Sequence, residues 1–94
     1  MATIEIRIQS NADAYWIKID KQDVHMSGPT GDAAGMVVVP TGPHTMFWGL
    51  FGDPGEHCAI DILQDGESLL PGPTLGKILP GFRNDGGYTN FEAR

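Results

Sequence analysis

The chain reads as an all-β domain, a small antiparallel sandwich of six to eight strands with an Ig-like or transthyretin-like arrangement. Three observations predict this. Short apolar runs alternate with polar residues at a period of two, as in Ile4, Ile6 and Ile8 set between Glu5, Arg7 and Gln9. Turn signals recur every 8–12 residues. No segment longer than about ten residues carries a helical period. Thirteen glycines and seven prolines among 94 residues exceed the globular average of roughly 12% and favour many turns.

The elements follow in order. Residues 4–8 form a first strand, since β-branched isoleucine suits a pleated, half-buried surface. Ser10-Asn11-Ala12-Asp13 turns the chain. Tyr15 to Ile19 forms a second strand, with Tyr15, Ile17 and Ile19 inward and Trp16 and Lys18 on the other side. Residues 27–35, SGPTGDAAG, read as a loop, because they offer little to bury. Met36 to Val39 is a strand that Pro40 stops. Thr45 to Phe51 is the next. Glu56 to Leu63 alternates with Cys58, Ile60 and Ile62 on one side, and Asp65-Gly66 is a favoured hairpin turn.

These features divide the chain into a sandwich body, residues 1–70, and an extended segment, residues 71–94. That segment holds eight Gly or Pro residues, yet also Leu75, Ile78, Leu79, Phe82, Tyr88 and Phe91. Apolar side chains among breakers predict a segment that packs on the body or on a partner. One short strand is expected at Thr74 to Leu79.

Met46 to Phe51 poses the functional question. Met46, Trp48 and Leu50 alternate with Phe47, Gly49 and Phe51, so both faces of this strand are apolar. A small sandwich buries one face of each sheet. The other face calls for a cover, because monomers rarely expose a large contiguous apolar patch. The C-terminal segment, a second copy of the chain and a foreign partner are the three candidates. Trp16, Phe47, Trp48, Phe51, Leu75 and Phe82 are the candidate interface residues, as aromatics dominate the anchors of interfaces.

Charge and composition exclude several classes. The net charge is −6, which argues against nucleic acid and against anionic membrane surfaces. No run approaches the ~20 apolar residues of a membrane helix. The first residues, MATIEIRIQS, lack the basic and apolar regions of a signal peptide, and the one cysteine, Cys58, cannot form an intrachain disulfide. Both features predict a cytoplasmic location.

Chemistry finds little footing. His57 and Cys58 are adjacent on a strand and point to opposite faces, so they do not share one ion readily. His44 reads as a turn cap. No G-x-S-x-G elbow or phosphate loop is present. No cofactor is expected, and the chain reads as non-enzymatic. Asp53, Glu56, Asp61 and Asp65, with Glu67 beyond them, form an acidic run. It offers weak candidate ligands for a hard cation, or an edge that would steer the protein to a basic partner as a small inhibitor or immunity-type protein does.

Residues 37–50, VVVPTGPHTMFWGL, resemble the middle of a PEGA-type domain, in which an apolar strand ends at a Pro-x-Gly-x-His turn and a second apolar strand follows. Pro40, Gly42, His44, Met46 and Trp48 occupy those places, while Thr41 and Pro43 stand where the family motif has Glu and Ala. The likeness spans residues 3–63. It implies an accessory or interaction module on a β-sandwich, often at cell surfaces.

Overall fold

The computed structural model describes residues 1–94 and contains nine strands and no helix. They are β1 (Ala2–Ser10), β2 (Ala14–Ile19), β3 (Gln22–Asp23), β4 (Asp32–Val39), β5 (Gly42–Phe51), β6 (His57–Gln64), β7 (Glu67–Ser68), β8 (Thr74–Lys77) and β9 (Asn84–Ala93). All pairings are antiparallel. One sheet runs β4-β1-β6, with β7 and β8 both paired to β6 further along its length. The other runs β3-β2-β5-β9. The two sheets pack face to face as a β-sandwich. The two-residue strands β3 and β7 take the count above the expected six to eight.

Alternation decides which residues meet between the sheets. β1 contributes Ile4, Ile6 and Ile8, and β6 contributes Cys58, Ile60 and Ile62. Facing them are Ile17 and Ile19 from β2, Met46, Trp48 and Leu50 from β5, and Phe91 from β9. No polar or charged residue is fully buried. Each fully buried isoleucine contributes about 1.5–3 kcal/mol, and eight buried isoleucines make this core the main source of stability. Asp65 and Gly66 both have positive φ, 53° and 79°, the geometry of a type I′ turn, and the hairpin of β6 and β7 closes there.

One expectation is corrected. Residues 32–35 are strand rather than loop: β4 begins at Asp32 and pairs with β1 as far as Gln9. The small residues there serve close packing. A Cβ on Gly35 would lie 2.6 Å from the carbonyl oxygen of His25 and 2.8 Å from Met26 Sδ, because residues 24–27 cross from one sheet to the other and bridge Ser27 to Ala34.

Residues 71–94, expected to pack on the body or on a partner, run largely as strands along the body. Residues 71–94 supply β8 at the expected place and, in addition, β9, which pairs with β5 over ten residues from Gly42↔Ala93 to Phe51↔Asn84. Ile78, Phe91 and Ala93 are buried in the common core. The C-terminal residues therefore complete the second sheet at its edge instead of lying over its outer face. Thr74 Oγ1 meets Thr89 Oγ1 at 2.8 Å, which draws β8 of one sheet against β9 of the other along one side of the sandwich.

Candidate functional site

The outer face of the β3-β2-β5-β9 sheet is built by the same alternation that fills the core. Inward Ile17 and Ile19 turn Trp16 and Lys18 outward, and inward Met46, Trp48 and Leu50 turn Phe47, Gly49 and Phe51 outward. The register then sets rows across three strands: Lys18, Phe47 and Tyr88; Trp16, Gly49 and Gly86; Ala14, Phe51 and Asn84. Phe47 and Tyr88 are tilted ring neighbours with centroids 6.4 Å apart. Lys18 Nζ stands 6.0 Å from the Trp16 ring centroid and 3.8 Å from Asp23.

Gly49 is what allows Trp16 to lie on the sheet. A Cβ at that position would run into the indole at Nε1, Cε2 and Cζ2, so a side chain there would push the ring off. Beside it the turn between β8 and β9 rises at the end of the sheet, where the Phe82 N–H donates to the Leu79 carbonyl at 3.1 Å. Trp16 and Phe51 on the sheet and Leu79 and Phe82 on the turn wall a groove of about 460 Å³. Lys77, Asn84 and Asp85 supply its polar margin. The Asp85 carboxylate accepts the Lys77 backbone N–H at 2.9 Å.

The large side chains on this face remain open to solvent: Trp16 41%, Phe47 39%, Phe51 45%, Leu79 56%, Phe82 57% and Tyr88 67%. Four of the six predicted interface residues therefore share one surface. The other two do not. Trp48 borders the groove but is a core residue, 5% exposed, with its ring packed near Gly76 and Gly87 and its Nε1–H without an acceptor. Sequence alternation places Trp16 and Trp48 on separate strands with no relative phase; the pairing of Trp16 with Gly49 puts them on opposite faces. Leu75 is exposed, but it pairs with Ala59 and belongs to the other sheet. Tyr88 and Leu79 were missed as surface residues, since their strand and turn carry no regular alternation.

The acidic run does not converge. Asp53 and Glu56 meet Asp13, with one carboxylate oxygen from each within 4.8 Å of the others. Asp53 is paired to Arg83 at 3.1 Å, and Glu56 accepts the Asp53 backbone N–H. Asp61 lies elsewhere, accepting from Ser68 Oγ at 2.6 Å, and Asp65 sits in the hairpin turn. Asp61 and Asp65 are thus not ligands of the cluster that holds Asp53 and Glu56.

His44 caps its turn more firmly than its sequence position suggests. It faces inward at the end of β5, its side chain only 9% exposed, stacked near Phe91 with ring centroids 5.7 Å apart. Nδ1–H donates to Asp20 Oδ2 at 2.7 Å and Nε2–H donates to the Pro40 carbonyl at 2.6 Å. Both partners are acceptors, so the two contacts are made together only by the protonated ring, and they favour that form. The hydrogen bond to Asp20, then that to Pro40, hold its pKa above the ordinary value. The same bond to His44, assisted by the Thr45 N–H, holds the Asp20 carboxyl below its own. Asp20 adopts φ 53° to make this arrangement, a conformation aspartate tolerates better than most residues. Burial pushes the Cys58 thiol up and disfavours its thiolate.

No family model matches the chain, and no curated protein matches it. Among solved structures it is similar to a domain of unknown function, DUF4425, from Bacteroides vulgatus ATCC 8482, with a TM-score of 0.54 and 9% identity over 99% of this chain and 97% of that one. At that identity the likeness concerns the fold: this chain and that domain share a small all-β sandwich. No helix is long and apolar enough to cross a membrane.

Proposed function

We propose that this protein is a non-catalytic protein-interaction module that docks through the outer face of the β3-β2-β5-β9 sheet. The observation that carries the reading is the contiguity of Trp16, Phe47, Phe51, Leu79, Phe82 and Tyr88 on one solvent-facing surface. Aromatic side chains anchored on rigid strands bind with little loss of side-chain entropy. Two of the groups that catalysis would draw on are otherwise engaged. Both nitrogens of His44 are taken, and Cys58 is buried and held as a thiol. The acidic-inhibitor and cation-binding readings have less support, because the carboxylates are dispersed and Asp53 is already paired to Arg83.

A photo-crosslinking amino acid placed at position 47 and, separately, at position 36 on the opposite sheet tests this in cells producing the protein. Adducts of discrete mass from position 47 and none from Met36, which is more open to solvent than Phe47, are the expected result. Adducts from both or from neither would overturn the assignment of this face.

A further inference from the structure

Resting on that reading of the face, we infer that its occupant is a second copy of this chain, joined by a two-fold, self-complementary contact of the two β3-β2-β5-β9 sheets. Charge is the first argument. The molecule carries −6 overall, so two copies repel wherever their acidic surfaces meet. On this face the charged groups are Lys18 with Asp23, Lys77 and Asp85 at the margin of the groove, and Glu92 at the far end of β9, which sum to −1. It is a surface through which two identical acidic molecules approach with little of that cost. A partner selected by charge would be basic and would settle elsewhere, against Asp13, Asp53 and Glu56 or around Asp61 and Asp65.

Area is the second argument. Five aromatic side chains of about 150–250 Å² each, left 39–67% exposed, present about 500 Å². A standard interface takes about 800 Å² from each partner. Leu79, Gly49, Gly86, Asn84 and the stem of Lys18 lie among the aromatics and supply the remainder. One patch of this size, repeated on both molecules, closes a two-fold contact with no surface left to propagate. Phe47 and Gly49, on the central strand of the face, fall nearest its middle, while Tyr88 and Phe82 stand at its margins.

Light scattering of the purified full chain across a dilution series tests the inference, with the emission of Trp16 followed in parallel. The expected mass is twice 10.1 kDa at high concentration, falling to the monomer on dilution as Trp16 emission shifts to the red; Trp48, already buried, gives a constant background. Phe47→Asp is expected to be monomeric and folded by circular dichroism. If Phe47→Asp unfolds, Tyr88→Glu on the exposed edge strand takes its place, with at least a tenfold weaker association expected. A monomer at every concentration overturns the second copy but leaves the interaction face to the crosslinking result. A dimer unchanged in both variants places the contact elsewhere and overturns both.

Discussion

The two outer faces of the sandwich are built by the same rule and finished differently. Over the β4-β1-β6 sheet, β1 turns outward Thr3, Glu5, Arg7 and Gln9, and β6 turns outward His57, Ala59, Asp61 and Leu63, with Met36 and Val38 on one edge strand and Leu75 on β8. Over the β3-β2-β5-β9 sheet the outward set holds Trp16, Lys18, Phe47, Phe51 and Tyr88, with Asn84 toward one end and Thr45, Asn90 and Glu92 toward the other. Inward, the first sheet presents mostly isoleucine and valine, and the second sets the rings of Trp48 and Phe91 beside Ile17, Ile19, Met46 and Leu50. The difference teaches that the core does not account for the outward aromatics. Polar side chains in place of these rings would have left the sandwich equally well filled, so the rings are a property of the surface rather than of the core.

The largest effect that sharpens this contrast compares the two tryptophans. Trp48→Ala removes a buried ring and should cost about 3–5 kcal/mol, read as a fall in urea midpoint at unchanged slope. Trp16→Ala, one register position away on the neighbouring strand and on the opposite side of the same sheet, should cost less than half of that at protein concentrations where the chain is monomeric. Equal losses would mean that the outer ring is structural, and the distinction between the two sides would fail.

Gly49→Val comes next. The new side chain must displace the Trp16 indole, and overpacking of this kind costs about 1–3 kcal/mol. Trp16 emission should shift to the red, and any self-association should be lost with it. An unshifted spectrum would show that the indole does not rest on Gly49.

A smaller effect separates the aromatic end of β5 from its His44 end. The His44 pKa is raised above its ordinary value of 6.5, so its contribution to stability is complete below about pH 6.5 and is lost as pH rises through the raised value. The Asp20 pKa is lowered from 3.8, so its contribution is complete above about pH 4 and is lost as pH falls through the lowered value. The pair contributes fully between those limits. The urea midpoint should therefore be higher at pH 5.5 than at pH 9, and Asp20→Asn should flatten that difference. The smallest effect is Arg7→Ala on the charged face: Arg7 makes only an exposed pair with Glu5 at 3.1 Å, and the change should stay within about 0.5 kcal/mol.

What could be read in advance follows a physical division. β1, β2 and β6 were legible because each declares its buried face by alternation of isoleucine with polar residues, a property of consecutive residues. The two-sided character of Met46 to Phe51 was legible for the same reason, and so were the breaks at Pro40 and at Asp65-Gly66. β9 was not. Its Asp85-Gly86-Gly87 start carries no apolar alternation, and its strand character comes from pairing with β5 some forty residues away in the chain. The early start of β4 likewise depends on β1 and on the crossing segment at His25 and Met26.

The amino-acid sequence by itself thus determined the class of fold, the inward residues of the principal strands and the presence of a second apolar face, because side-chain alternation along an extended backbone is local. Only the tertiary structure decided which tryptophan lies outside, that Gly49 seats it, that Leu79 and Phe82 wall the groove beside it, and that His44 is clasped between Asp20 and Pro40. Those outcomes depend on strand register and on the approach of residues distant in the chain, which no run of neighbouring residues encodes.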